Sequence, residues 1–119
     1  MTLNGIDISS AQAGMDVTKV SAEFVIIKAT QGTHYVNPFC DIHYQQAYAA
    51  KKLLGVYHYA EGGNPITEAD YFLANVKGYI KGAILCLDWE DRDNVSFGVN
   101  DAAWVKAWCD RVYQVTGVK

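Results

Sequence analysis

The chain has 119 residues, of which 50% are apolar and 19% are charged, and this composition fits one globular domain with a modest core. It has 10 Lys and Arg residues against 13 Asp and Glu residues, so its net charge is −3 and no basic surface is expected for nucleic acid. The longest apolar runs, residues 24–27 and 83–87, are much shorter than the roughly 18 to 20 residues that cross a bilayer, so we expect no membrane insertion.

The N-terminal segment lacks the marks of a secretory signal, because it has no basic start and no apolar stretch of about 7 to 15 residues. We therefore expect synthesis in the cytoplasm without a signal peptide. The 3 cysteines are an odd number and form no Cys-x-x-Cys pair, which argues against a disulfide framework or a zinc knuckle.

The first half of the chain alternates predicted strands with helical segments. A strand over residues 3–9 is followed by at most one or two helical turns within residues 16–21. A β-branched run over residues 24–30 predicts a strand that is buried on both faces, and a helix is predicted over residues 41–54.

The second half continues the same alternation. A strand over residues 54–60 precedes a helix that begins at the Asn64-Pro65 pair, a cap followed by a first-position proline. A strand over residues 83–90 precedes a last helix that Asn100 caps and Gly117 stops. This alternation without a low-complexity linker predicts an α/β domain with a parallel sheet.

Polar and aromatic side chains follow each of the four predicted strands. In parallel α/β folds the ligand site lies at the carboxyl ends of the strands. The residues at these ends are Asp7, Ser9, Lys28, Thr30, Tyr57, His58, Tyr59, Asp88 and Glu90. The pattern predicts a site at this edge of the sheet, although strand ends also place polar residues in solvent for no functional reason.

Asp88 and Glu90 form the most specific local signal. Residues two apart on a strand point to the same face, about 6.6 to 6.8 Å from each other along the backbone. Two carboxyls so close raise one pKa, and a protonated acid beside an ionised carboxylate suits cleavage of a glycosidic bond. Tyr57 and Tyr59 share a strand face, where aromatic rings stack well on sugars. A solvated pair of acids remains the alternative for this short motif.

The sequence gives little support for a metal or a nucleotide. The acidic run that continues to Asp93 lacks the glycine and the ligand spacing of a calcium loop, and the histidines lack zinc-site spacing. Neither a glycine-rich phosphate loop nor a Gly-x-Ser-x-Gly motif is present. We therefore expect no metal and no cofactor.

Five segments together resemble one enzyme family: GIDISSAQ (5–12), FVIIKATQGTHYVNP (24–38), GVYHYA (55–60), EADYFLANV (68–76) and LDWED (87–91). Their order and spacing resemble glycoside hydrolase family 25, the lysozymes or muramidases known from phage endolysins and from bacterial and fungal lysozymes. The resemblance covers essentially the whole chain. It implies hydrolysis of the β-1,4 bond between N-acetylmuramic acid and N-acetylglucosamine in peptidoglycan, without cofactor or metal, and action on the bacterial cell wall after release.

The resemblance also implies roles for individual residues. Glu90 matches the general acid, and Asp88 matches the partner carboxylate that assists the 2-acetamido group of the substrate as nucleophile. Asp7 matches a further carboxylate of the site. Tyr57 matches a tyrosine that contacts sugar, and Lys28 matches a lysine of the second strand whose role we leave open. Tyr59 is a substrate-binding candidate from its place on the strand.

The length of the chain conflicts with the complete fold of that family. The resemblance implies an irregular barrel of eight strands, and such a barrel needs on the order of 200 residues or more. We therefore expect residues 1–119 to form a single catalytic domain that holds the first four strand-helix units of a TIM-like (β/α) barrel and lacks its C-terminal part. Two chains are then expected to associate through the open sheet edges, residues 3–9 and 83–90.

Two other interpretations remain open from the sequence. Because part of the family's site is not matched, the chain could be a module that binds peptidoglycan without cutting it. Its length also fits a small doubly wound α/β domain of unrelated function.

Overall fold

A computed structural model describes residues 2–119 and shows an α/β fold around a parallel sheet. Its strands are β1 (Gly5–Ile8), β2 (Phe24–Gln31), β3 (Tyr35–Val36), β4 (Leu53–Tyr59) and β5 (Ile84–Asp88). Its α-helices are α1 (Cys40–Ala49), α2 (Pro65–Asn75) and α3 (Asp101–Thr116), and short 3-10 helices cover Ser10–Gln12 and Val17–Lys19.

The strand order excludes a doubly wound sheet. β1, β2, β4 and β5 are neighbours in that order and every pair is parallel, while the short β3 pairs antiparallel with β2. A doubly wound sheet reverses its strand order at a switch point, and this order rises without a reversal. The expected α/β fold with a parallel sheet is confirmed, and the doubly wound interpretation is wrong.

Each long strand presents one face to the helices and the other to a cleft. In β2 the side chains of Val25 and Ile27 are buried, and in β4 those of Leu54 and Val56 are buried. We call this side the helix face. The opposite side, the open face, is the one that carries Ile26 of β2 and the aligned residues of β1, β4 and β5. The side chains of each strand therefore alternate between the two faces. We expected β2 to be buried on both faces, and this expectation is wrong because its open face is only half-buried.

Two element boundaries differ from those expected. The helix expected over residues 41–54 ends at Ala49, because Lys51 adopts a left-handed backbone with φ of 58° that a helix cannot continue. Leu53 and Leu54 then pair with β2 instead. The hairpin between β2 and β3 was not expected, and it turns at Gly32, where φ is 55°.

The helix ends follow the sequence signals in two cases of three. The Asn64 side chain accepts hydrogen bonds from the backbone N–H groups of Ile66 and Thr67, so the expected cap of α2 is confirmed. Gly117, with φ of 71°, ends α3 as expected. In the third case Asn100 lies at the N-cap position of α3 as expected, but its side chain makes no cap hydrogen bond. Within residues 2–119 no helix is long and apolar enough to cross a membrane.

Aromatic residues join the last two helices to the helix face. The Trp108 ring centroid of α3 lies 5.3 Å from that of Phe72 on α2 and 5.8 Å from that of His58 on β4. Trp89, which follows β5, packs on Trp104 with centroids 4.7 Å apart. Such pairs add about 0.5 to 1.5 kcal/mol each to the gain from burial, so this cluster fixes α3 against the sheet.

Two buried histidines allow a test of how polar groups affect stability. His43 of α1 has no exposed surface, and within residues 2–119 neither of its ring nitrogens has a hydrogen-bond partner. We expect His43→Leu to raise the free energy of unfolding by about 1 kcal/mol or more, because an unsatisfied buried polar group is removed. Urea denaturation measures this change.

His58→Leu is the matched control for that experiment. His58 is equally buried, but both of its ring nitrogens are hydrogen-bonded, one of them to Glu68. Its replacement removes one of three hydrogen bonds that the buried Glu68 carboxylate accepts, so we expect a loss of about 1.5 to 3 kcal/mol. Equal effects of the two substitutions would contradict the argument.

Candidate functional site

The carboxyl ends of β1, β4 and β5 surround an open cleft of about 400 Å³ on the open face of the sheet. Because parallel strands all end at one edge, residues that are up to 83 positions apart in the chain meet there. The cleft is lined by Asp7, Ile26, Tyr57, Cys86, Leu87, Asp88 and Glu90. Four of the six predicted site residues are therefore together.

Asp88 and Glu90 interact directly in this cleft. Burial raises the pKa of Asp88 to about 6, and the hydrogen bond to Glu90 and the negative charges of Glu90 and Asp7 act in the same direction. The Lys28 ammonium acts against them. The sequence predicted one raised pKa in this pair, and the structure raises the pKa of Asp88. The pair thus holds a proton in mildly acidic solution.

Tyr57 lies beside these acids on the same face. Burial is the main cause that raises the pKa of its hydroxyl, and the charges of Asp7, Asp88 and Glu90 add to it. The phenol therefore keeps its proton at any physiological pH and can donate a hydrogen bond into the cleft.

Lys28 of β2 lies between two aromatic rings next to the cleft. Its Nζ is 4.7 Å from the Tyr59 ring centroid and 5.2 Å from that of Tyr35, and it donates to Gln31 Oε1 over 2.6 Å. Burial lowers the pKa of Lys28, while the charges of Asp88 and other acids oppose this effect. Lys28 is therefore a cation fixed by its contacts, and its charge interacts with those of Asp88 and Glu90.

Tyr59, a candidate for substrate binding from the sequence, is buried in the structure. Only 9% of its surface is exposed, and its hydroxyl donates a 2.6 Å hydrogen bond to the backbone carbonyl of Arg92. Its ring packs against Lys28. This geometry leaves Tyr59 little surface for direct contact with a ligand.

Several residues beside the cleft were missed by the sequence analysis. Gln31 donates to Glu61 over 2.7 Å, and His34 lies 2.7 Å from the other oxygen of the same carboxylate. A side chain at Gly32 would overlap Glu61, so the turn needs glycine there. Tyr35 belongs to the hairpin strand that was not expected. No sequence signal marks these contacts, because they join loops that follow different strands.

Within residues 2–119 no cluster of three or more His, Cys, Asp and Glu side chains is arranged to hold a metal ion. The Lys28 ammonium offsets part of the negative charge of the carboxylates in the cleft.

The shared proton can be measured directly. We expect Asp88 to titrate near pH 6, with Glu90→Gln lowering its pKa because a like charge is removed. Lys28→Met is expected to raise the same pKa, because a stabilising cation is removed. The carboxyl carbon shifts of the aspartates, followed by NMR against pH, report both changes.

Asp70→Asn serves as the control for that titration. Asp70 lies on α2 and pairs with Arg111 of α3, with 2.7 Å between the carboxylate and the guanidinium. It carries the same charge outside the cleft, so Asp88 is expected to titrate as in the parent protein. Titration of Asp88 near its ordinary value, about 4, in the parent protein would contradict the shared proton.

Comparisons with known proteins agree with this architecture. The sequence model of "Glycosyl hydrolases family 25" matches residues 6–119. An N,O-diacetylmuramidase from Chalaropsis sp. is 37% identical over 132 residues, which cover 98% of this chain and 63% of that protein.

Solved structures of lysozymes and endolysins also resemble the fold of this chain. A family GH25 lysozyme from Aspergillus fumigatus has a TM-score of 0.86 at 29% identity, over 98% of this chain and 62% of that one. The catalytic domain of endolysin ply40 from bacteriophage P40 of Listeria monocytogenes has a TM-score of 0.79 at 28% identity, over 100% of this chain and 61% of that one. The chain spans about three fifths of the length of these relatives. With a family model that matches almost every residue, the chain belongs to glycosyl hydrolases family 25.

Proposed function

We propose that the protein is a lysozyme that hydrolyses the β-1,4 bond between N-acetylmuramic acid and N-acetylglucosamine in the peptidoglycan of bacterial cell walls. The observation that carries the proposal is the pair Asp88 and Glu90 in an open cleft at the carboxyl edge of the sheet, where burial and the neighbouring carboxylates raise the pKa of Asp88. Glycosidic cleavage needs one acid that delivers a proton and one carboxylate that stays ionised. The names of the relatives, a muramidase and a lysozyme among them, support the same chemistry.

The two acids have separate roles in this proposal. Glu90, the more exposed of the two, protonates the leaving glycosidic oxygen. Asp88 accepts the N–H of the 2-acetamido group, whose carbonyl oxygen attacks the anomeric carbon as the bond to the leaving sugar breaks. Water then attacks the anomeric carbon and gives a proton to Glu90, and the bond to the acetamido oxygen breaks, which restores both the acetamido group and the acid. Burial and the neighbouring carboxylates raise the pKa of Asp88, so the pair can retain a proton in mildly acidic solution.

The other predicted residues bind and balance charge. Tyr57 donates a hydrogen bond to a sugar oxygen, because its phenol stays protonated. Asp7 adds a third carboxylate, which stabilises positive charge that develops on the sugar ring. Lys28 offsets part of the negative charge of the site, and the ring of Tyr59 packs against the Lys28 ammonium. No metal or cofactor takes part in these steps.

We also propose that this chain forms the first part of a TIM-like barrel whose remaining strands complete a single catalytic domain. The amino half of the open face supports this, because its apolar side chains line a second cleft of about 300 Å³. Leu53 is 57% exposed and Ile84 is 64% exposed there. In a barrel such side chains lie in the interior, where the remaining strands cover them.

The assignment of the acid predicts the effect of Glu90→Gln. Since the amide cannot donate the proton, we expect the release of reducing sugar from purified cell walls to fall by about 100-fold or more. For the parent protein, kcat/KM is expected to fall as the pH rises through about 6, because the acid pair then loses its proton. Wall hydrolysis measured across this pH range tests both statements in the full-length protein.

Binding measurements separate the proposed enzyme from a module that only binds. We expect Glu90→Gln to sediment with insoluble walls as the parent does, because the amide keeps the shape of the cleft. Parent protein that sediments with walls but releases no sugar would contradict hydrolysis. A variant as active as its parent would show that Glu90 is not the acid.

The open face predicts association of the 119-residue chain with itself. Ile84 lies on the edge strand β5 and lines the apolar cleft. A second copy of the chain can cover both the strand edge and the cleft. We expect light scattering at high protein concentration to give a mass above the monomer, and Ile84→Lys to return it to the monomer. Val99→Lys, at an exposed position outside the cleft, is the control. A monomeric mass for the parent chain would contradict this proposal.

A further inference from the structure

A buried polar triad lies behind the cleft, on the helix face of the sheet. It consists of Thr30, His58 and Glu68, of which the last is 2% exposed and the other two have no exposed surface. The Thr30 hydroxyl is 2.7 Å from His58 Nδ1, and His58 Nε2 is 2.8 Å from Glu68 Oε1. The roles proposed for the cleft residues use none of these three.

Glu68 is the charged member of the triad. Burial acts to raise its pKa, but the hydrogen bonds from His58 and from the backbone N–H groups of Glu61 and Gly63 together hold the pKa below its ordinary value. An ionised carboxylate only accepts hydrogen bonds, so His58 Nε2 is the donor. The two backbone bonds, 3.1 and 2.8 Å long, tie the loop after β4 to the start of α2.

That loop in turn holds the segment after β5. The carbonyl of Glu61 accepts from the Val95 N–H, that of Gly62 accepts from the Ser96 hydroxyl, and that of Gly63 accepts from the Trp104 indole. The bonds to Glu68 therefore anchor the loop that holds the segment after β5 and the start of α3.

Thr30 connects the same triad to an irregularity in β2. The pairing with β4 shifts between Lys28, which aligns with Tyr57, and Thr30, which aligns with His58, so Ala29 is an extra residue. Such a bulge resets the alternation of side chains. Thr30 consequently turns to the helix face, where it meets His58, and Gln31 turns to the side of Lys28 and bonds to it.

We propose that the triad Thr30–His58–Glu68 is the positioning element of the site, which fixes the Lys28–Gln31–Glu61 chain of hydrogen bonds beside the acid pair. It acts from behind the sheet at two points, the bulge of β2 and the loop after β4. None of its members touches the cleft, so it acts only through the residues that it places. The kinetic consequence of this proposal rests on the proposed hydrolysis.

The position of Lys28 can be observed without any activity. Its ammonium lies over two tyrosine rings, so ring currents displace the proton resonances of its ε-methylene group. We expect Thr30→Val, which removes the hydroxyl but keeps the shape, to move these resonances towards those of a free lysine. Thr30→Ser keeps the hydroxyl and is expected to retain the parent's resonances. NMR of the full-length protein measures both.

Glu68→Gln tests the second point of attachment. The loss of charge weakens the bonds to the Glu61 and Gly63 amides, so we expect these amides to exchange about tenfold faster. Asp70→Asn, on the same helix, removes a carboxylate whose partner is Arg111, and is expected to leave this exchange unchanged. Unchanged exchange in Glu68→Gln, or unchanged Lys28 resonances in Thr30→Val, would overturn the proposal.

Wall hydrolysis supplies the last comparison. Well below the melting temperature, we expect kcat to fall about tenfold in Thr30→Val and Glu68→Gln and to stay at the parent value in Thr30→Ser and Asp70→Asn. A purely structural triad would lower the melting temperature and leave kcat unchanged, which would overturn the positioning role. If the parent releases no sugar, the proposed hydrolysis fails, while the resonances and exchange rates still decide the positioning role.

Discussion

The pairing of β2 with β4 is the constraint on which the rest of the structure depends. The two strands align from Phe24 and Leu53 to Gln31 and Tyr59, and one extra residue interrupts their register. Because side chains alternate with period two, this register decides which groups reach the helices and which reach the cleft. A slip by one residue would bury Lys28 among the helices and place Val56 in the cleft. The buried apolar positions of both strands hold the register against such a slip.

The charge balance of the cleft depends on the same register. Asp7, Asp88 and Glu90 converge there, and burial strengthens their mutual repulsion because less water screens it. Two features relieve this repulsion, the proton held near Asp88 and the Lys28 ammonium held over two tyrosine rings. Together they reduce the charge of the three carboxylates without cancelling it. The extra residue of β2 matters for this reason, because it places Gln31 where it holds Lys28 in position.

Local rules account for the parts of the fold and site that the sequence could predict. Asp88 and Glu90 share a face because they are two residues apart on a strand, and Asn64 caps α2 because its short side chain reaches two backbone N–H groups. Other features depend on partners that are distant in sequence. Lys51 ends α1 early because the chain must reach β2, and Tyr59 is buried because the segment after β5 folds over it. The bulge belongs to a pair of strands, so neither strand's sequence shows it.

The two halves of the open face differ in polarity along the strands. The amino half is apolar and includes Leu53 and Ile84, while the carboxyl half carries the acids, Lys28 and Tyr57. Burial of apolar surface contributes about 25 cal/mol for each Å², so the amino half would be stabilised by another part of the structure that covers it. In the proposed function the carboxyl half must stay accessible to a long glycan. A barrel satisfies both demands, since its interior buries one half and its rim leaves the other half open. The polarity of the open face therefore supports a barrel interior on physical grounds that do not depend on the likeness to known proteins.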